Sequence, residues 1–397
     1  VTDPHCPYCY RPVPSSPMTF RCSGRPGPNG RRCETRIDSL LAAHTGDTEP
    51  RYPAFTVRSG RRNPVCPICG EVTFQRLCGS CHSQLPAQFG DARTHLIALV
   101  GAKESGKSVY MTVLLHELHH RVGKQFGLAV MGADEYTKNT FRAEYENFLY
   151  DDGRLIGATR PATAQGVSRP FVFSVALERR RWFGRPQLDR SLFSFFDTAG
   201  EDLRSAESVE RNVRYLVAAD GILLMLDPLQ MRGARPLAET GTLLPQQPAP
   251  EDHPDSVLGR ITELLQSALR TGRRGRIRKP IALVFSKMDA LFGTLPEENV
   301  LLRDAPHDRP VFDEADSRAV DHEVRQLLDR WHSGGMIANL DKNFARYRFF
   351  SVSALGGSPV ADDGAHRVSE YGVQPRRVPD PFLWLLSEFG TIPKTEP

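Results

Sequence analysis

Gly101-Ala102-Lys103-Glu104-Ser105-Gly106-Lys107-Ser108 is the stretch that decides the fold. It spells G-x-x-x-x-G-K-[ST], a loop whose backbone N–H groups can wrap phosphate oxygens. The flanks suit such a loop. His95–Val100 is a short apolar run that reads as a strand. After the loop a helix is expected from about Ser108 to Val122, because Met111, Leu115, Leu118 and Val122 fall on one stripe. The N-terminus of that helix adds partial positive charge at the phosphates. Lys107 is placed to reach the β- and γ-phosphates, and the Ser108 hydroxyl to ligate Mg²⁺.

Further along the chain, short and almost wholly apolar runs alternate with helical segments. Pro170–Leu177 and Ser191–Phe196 read as a hairpin pair, and Gly221–Leu226, Pro280–Phe285 and Tyr347–Val352 as strands. Strands apolar on both sides belong to a sheet covered on both faces. A second helix is expected over Asp134–Tyr150. Insertions are expected near 134–165, 232–256 and 293–313, the last two rich in loop-forming residues.

Three short motifs follow these strands in order. Asp197-Thr198-Ala199-Gly200 fits D-x-x-G, in which Asp197 would hold Mg²⁺ through water and the Gly200 N–H would meet the γ-phosphate. Ser286-Lys287-Met288-Asp289 resembles [NT]-K-x-D. There the Asp289 carboxylate would accept from guanine N1 and N2, a donor pair that adenine lacks. Ser353-Ala354 resembles the S-A pair whose backbone meets guanine O6. Each motif is weak alone, but four in order, each after a strand, are specific.

On these motifs residues 95–390 resemble the translation-factor-related P-loop GTPases. With the Cys-rich segment ahead of them, the chain is similar to the bacterial double-GTPase type-2 family. The resemblance implies an α/β Ras-like domain over 91–397, mostly parallel with helices on both faces, behind a small zinc-stapled domain over 1–90. It also implies GTP or GDP with Mg²⁺, and work beside a second GTPase or effector in a bacterial conflict or signalling system. Ser286 departs from the usual Asn or Thr, though a hydroxyl can still brace the phosphate loop. Glu201 stands after D-x-x-G, where many relatives have Gln to orient water, so slow intrinsic hydrolysis is expected. Lys103 stands where small relatives keep Gly, and its ammonium either reaches the γ-phosphate in cis or faces solvent. The residue of the first switch that senses Mg²⁺ and the γ-phosphate is read as Thr163, with Thr159 as the alternative.

All eight cysteines fall before residue 82. Such segregation fits thiolates gathered on metal better than disulfides. Cys66-x₂-Cys69-x₈-Cys78-x₂-Cys81 spells one zinc site, and Cys6-x₂-Cys9 with Cys22 and Cys33 a second, in which His5 or His44 could replace a ligand. Four ligands each leave no open position, so both read as structural. Residues 1–90 hold 11 Arg, no Lys and 6 acidic residues, with few aromatics to stack on bases. A protein partner is therefore favoured over nucleic acid.

His116-Glu117-Leu118-His119-His120 contains H-E-x-x-H, the spelling of many zinc proteases. The helix is already claimed by the phosphate loop, and the 100° step puts His116 and His120 opposite the core stripe. They read as a solvated face. The 397 residues carry net charge +4 and 40% apolar residues, enough for a core, with no apolar run of membrane-spanning length. A cytoplasmic protein is expected. The leading reading is a GTP-hydrolysing switch. Its rival is a nucleotide-holding binding module with little turnover, and ATP use is disfavoured by Asp289.

Overall fold

The computed structural model describes residues 3–58, 64–86, 89, 94–155, 169–179, 187–195, 213–245, 250, 253–270, 275–362 and 365–396. Its centre is a seven-stranded sheet: β1 (Thr94–Gly101), β2 (Leu128–Gly132), β3 (Phe171–Arg179), β4 (Gln187–Phe195), β5 (Gly221–Leu226), β6 (Ile281–Phe285) and β7 (Tyr347–Ser351). The spatial order is β7-β6-β5-β1-β4-β3-β2. The five strands from β7 to β4 run parallel. β3 is antiparallel to β4, and β2 to β3.

Every residue of β5 and β6 is buried. Successive side chains feed opposite faces. Leu96, Ala98, Ile222, Leu224, Ile281 and Leu283 enter one core with the Pro254–Ala268 and Glu314–Arg330 helices. Ile97, Leu99, Leu223, Met225, Ala282 and Val284 enter the other, with the Lys107–His120 and Asp380–Glu388 helices. Each fully buried Leu, Ile or Phe contributes roughly 1.5–3 kcal/mol. The expected mostly parallel α/β sheet, with helices on both faces, is present.

Edge strand β2 was not foreseen. Its five residues, Leu-Ala-Val-Met-Gly, bury only alternate positions and follow a one-turn helix, so their pattern resembles the end of a helix as much as a strand. The Asp134–Tyr150 helix is present and starts from Asp134, whose side chain accepts from Thr137 N at 2.7 Å. It is not uniform: Glu135–Phe141 is α, Arg142–Glu146 is a π-turn, and Asn147–Tyr150 is α again. The segment expected as a loop from 293 is pinned to the body. Leu301 and Phe312 are buried, and the Arg303 carbonyl accepts from Arg377 Nε at 3.0 Å.

The Cys-rich head is built on a three-stranded antiparallel sheet in which Met18–Arg21 lies between Ala54–Val57 and Gln75–Leu77. This sheet corrects the expected grouping of the cysteines. The sets are not Cys6, Cys9, Cys22, Cys33 and Cys66, Cys69, Cys78, Cys81. They are Cys6, Cys9, Cys78, Cys81 and Cys22, Cys33, Cys66, Cys69. The register explains the exchange. Thr19 faces Leu77 and Arg21 faces Gln75. Cys22 therefore leaves its strand at the end where Cys66 and Cys69 arrive, and Cys78 leaves at the opposite end, beside Cys6 and Cys9. Spacing suggested neighbouring pairs, whereas antiparallel pairing interleaves them.

Candidate functional site

The parallel strands deliver their carboxyl ends to one edge, where open α/β sheets bind ligands. The phosphate loop leaves β1 at Gly101. A Cβ there would lie 2.6 Å from the Met225 carbonyl oxygen and 2.7 Å from Ser105 Oγ, so only glycine fits. Gly106 has φ 81° and turns the chain into the Lys107–His120 helix. Lys107 Nζ folds back to the carbonyls of Gly101 at 3.0 Å and Ala102 at 2.7 Å. Ser105 Oγ also donates to the Ala102 carbonyl, at 2.8 Å. Ser108 lies half-buried in the first helical turn, and Lys103 is exposed.

Ser286, directly after β6, braces this loop. Its hydroxyl lies 2.9 Å from the Ser105 carbonyl oxygen and 3.2 Å from that of Leu226. Lys287 adds a second brace, donating to the Glu104 carbonyl at 2.8 Å. It is held there by Asp227, whose Oδ2 is 2.6 Å away. Asp227 follows β5 and is fully buried, and it also accepts from Leu229 N at 2.8 Å. Burial pushes its carboxyl above the ordinary range while Lys287 pulls the other way. Asp227 belongs to none of the four motifs. The available signal was a lone acid at the end of an otherwise apolar strand.

Asp289 and Ser353 come together from two loops. Ser353 Oγ donates to Asp289 Oδ1 at 2.6 Å and accepts from Gly356 N at 2.9 Å. Burial pushes the Asp289 carboxyl up, the Ser353 hydrogen bond opposing. Ser353 thus has a side-chain role besides the backbone role expected for Ser353-Ala354. Asp197, Gly200 and Glu201, and the alternatives Thr163 and Thr159, lie outside the described residues.

The two cysteine clusters fit zinc. No cysteine is in a disulfide. Sγ–Sγ separations are 3.9 Å for Cys6–Cys81, 3.7 Å for Cys9–Cys78, 3.5 Å for Cys22–Cys69 and 3.7 Å for Cys33–Cys66. A tetrahedron with Zn–S bonds of about 2.3 Å has edges of about 3.8 Å. Neither His5 nor His44 belongs to a cluster. Three of the turns share one form. The residue after the second cysteine takes a left-handed conformation, at Tyr10, Gly70 and His82, and its N–H closes onto the carbonyl of the first, at 2.9 Å each.

The first of these turns is docked on the sheet. Ser194 of β4 donates to the Pro7 carbonyl at 3.0 Å, and the Tyr10 hydroxyl lies 3.3 Å from Ser194 Oγ. The Tyr10 ring packs on that of Tyr215, centroids 4.8 Å apart. The Tyr215 hydroxyl donates to the Ser194 carbonyl at 2.5 Å and accepts from Leu99 N at 2.8 Å. Cys6, Tyr8, Tyr10, Cys78 and Cys81 share one buried cluster with Leu96, Ala98 and Leu192.

A glycine-framed phosphate loop between a strand and a helix, at the carboxyl edge of a largely parallel sheet, defines a P-loop protein of the Ras-like α/β class. The chain belongs to the Double-GTPase 2 family, whose profile matches residues 95–364. This agrees with the family resemblance carried by the four motifs. A protein of Mycolicibacterium smegmatis described as "Putative ESX-1 scaffolding and assembly protein SaeC" is 27% identical over 98% of this chain and 99% of its own. Among solved structures, the Arl6 BBS3 small GTPase of Trypanosoma brucei covers 75% of this chain and 99% of its own, at 11% identity and TM-score 0.28. The Ski7 GTPase-like domain of S. cerevisiae covers 76% of this chain and 50% of its own, at 15% identity and TM-score 0.30. Overlaps this slight carry no argument about ligand or activity. Among the described residues no helix is long and apolar enough to cross a membrane.

Proposed function

We propose that this protein is a GTP-binding, GTP-hydrolysing switch whose Cys-rich head connects nucleotide state to a protein partner. The observation that carries the reading is the Asp289 carboxylate, half-buried and oriented by Ser353, in the loop that also braces the phosphate cradle through Ser286 and Lys287. A buried carboxylate is matched by the adjacent N1 and N2 donors of guanine and left unpaired by adenine. Mg²⁺ would sit between the phosphates and Ser108, with Asp197 and Thr163 completing the set, and in-line attack by water would release phosphate. Zn²⁺ in both four-cysteine clusters would hold the head in shape. The scaffolding description of the M. smegmatis relative supports a protein partner, which could be a second GTPase or an effector.

The test is paired. Nucleotide binding to purified protein should favour GDP and GTP strongly over ATP, and Lys107→Ala should abolish tight binding. Equal affinity for ATP and GTP would overturn the guanine assignment. Turnover is then measured alone and with candidate partners. Slow basal hydrolysis, preserved or raised by Glu201→Gln, fits a partner-activated switch. A drop of about 10²–10⁴ in Glu201→Gln with GTP affinity intact would make Glu201 a working general base. No turnover under any condition would leave a nucleotide-holding binding module.

A further inference from the structure

The Lys107–His120 helix carries a second chemical feature, on a side the nucleotide loop does not use. His116 and His120 stand one turn apart, their ring centroids 4.2 Å from each other. Glu146 reaches them from the neighbouring helix, its Oε1 3.4 Å from His116 Nδ1. One ligand atom from each of the three residues lies within 4.8 Å of the others. His120 is exposed, as the 100° step suggested, but His116 is not part of an open solvated face. The helix is buried nearly all round, and His116 is half-buried against the π-turn segment.

The geometry points to a third metal site at His116, His120 and Glu146, for a divalent transition ion of the zinc type. Two imidazoles one helical turn apart form a chelating pair, and imidazole with one carboxylate suits zinc far better than magnesium or calcium. A separate observation supports it. Glu146 closes the π-turn Arg142–Glu146, an irregularity that costs regular helical hydrogen bonding and recurs at functional sites. The π-turn rephases the helix, so that Glu146 meets His116 and Tyr150, one turn on, stacks on the His116 ring at 3.8 Å and 16°. The Tyr150 hydroxyl is buried without a hydrogen-bond partner among the described residues. Three protein ligands leave a position open for water.

The site binds an ion without the machinery of a peptide-cleaving centre. In such centres the Glu of H-E-x-x-H activates the metal-bound water. Here that residue, Glu117, is buried and engaged by Arg121, whose Nε lies 2.8 Å from Glu117 Oε2. An ion here would join the helix that starts at the phosphate loop to the helix that ends at Tyr150.

The full chain, carrying metal at its cysteine clusters, is titrated with Zn²⁺ and separately with Co²⁺. One further equivalent should bind. For Co²⁺ it should add ligand-field absorption without thiolate-to-metal charge transfer, which separates it from the cysteine clusters whether or not those fill. His120→Ala, at an exposed position, and the isosteric Glu146→Gln should each weaken that equivalent by at least about tenfold, with far-ultraviolet circular dichroism unchanged. No thiolate-free equivalent in the unmodified protein would overturn the site. So would a further equivalent indifferent to both substitutions.

Discussion

Ser194 and Pro7, 187 residues apart, are joined by a hydrogen bond of 3.0 Å from the Ser194 hydroxyl to the Pro7 carbonyl. Pro7 lies inside the Cys6-x₂-Cys9 turn and Ser194 near the end of β4, three residues before Asp197. Through Tyr215 the same point reaches Leu99 of β1, just ahead of the phosphate loop. The head therefore rests on strands that lead to the phosphate loop, and disturbance of one has a short route to the other. Tyr10→Ala should cost about 3–5 kcal/mol in denaturant unfolding, as for other buried aromatics. Ser194→Ala should cost about 1 kcal/mol. In a double-mutant cycle the two should couple, because the Tyr10 hydroxyl meets Ser194 Oγ directly. Additive losses would show that the head and sheet are energetically separate.

The interleaved cysteine sets make a prediction that the neighbouring-pair grouping does not. After dialysis against a mild chelator, which strips the three-ligand site at His116, His120 and Glu146, elemental analysis should find about two zinc ions per chain, one in each four-cysteine cluster. Cys6→Ser and Cys78→Ser should each lose one ion, and the double variant should lose no more than either alone. Cys22→Ser and Cys66→Ser should behave likewise on the other ion. If Cys6→Ser combined with Cys78→Ser removes both ions, the interleaving is wrong.

Asp227 is the fully buried partner of Lys287. Removing one member of such a pair strands the other, a change that costs about 3–5 kcal/mol when the remaining charge stays buried. Lys287 keeps a third of its side chain exposed, so Asp227→Ala should fall at or below the low end of that range. Its second effect should be on nucleotide. With Lys287 released from Asp227, the Glu104 carbonyl loses its fixed donor, and GDP affinity should drop while circular dichroism is retained. Full retention of affinity would show that the phosphate loop holds its shape without this brace.

The nucleotide edge was legible because its signals are local. Gly101–Ser108, Ser286–Asp289 and Ser353-Ala354 each sit on one loop after one apolar strand, and the topology then collects them. What escaped depends on relations between distant segments. The pairing of Met18–Arg21 with Gln75–Leu77 decides which cysteines meet, and no spacing rule encodes that register. Asp227 acquires meaning only when Lys287 arrives from the next strand. The π-turn at Arg142–Glu146 shifts a helical face by one residue, so a wheel drawn on the sequence puts Glu146 in the wrong phase. His116 looked solvated because the wheel contains no neighbour, whereas the fold places Tyr150 against it.

Asp289 should show a conflict between stability and binding. Burial raises its carboxyl pKa in the folded, nucleotide-free protein above the unfolded value. A group raised on folding contributes stability that is present at low pH and lost as pH rises through the folded value. At neutral pH the ionised carboxylate is therefore a cost to the empty protein, offset when guanine supplies two donors. Two outcomes follow. Asp289→Asn should leave the nucleotide-free protein as stable as the parent or more so at pH 7, while weakening GDP and favouring xanthine nucleotides, which present an acceptor where guanine has its amino donor. In the parent, GDP affinity should begin to fall on acidification at a pH above the ~3.9 of a solvated Asp. In Asp289→Asn that acid limb should vanish. Calorimetric titration of GDP across pH, with thermal unfolding of the empty protein, reads both effects. An Asp289→Asn protein that is clearly less stable when empty would mean that the Ser353–Asp289 hydrogen bond outweighs the burial of charge.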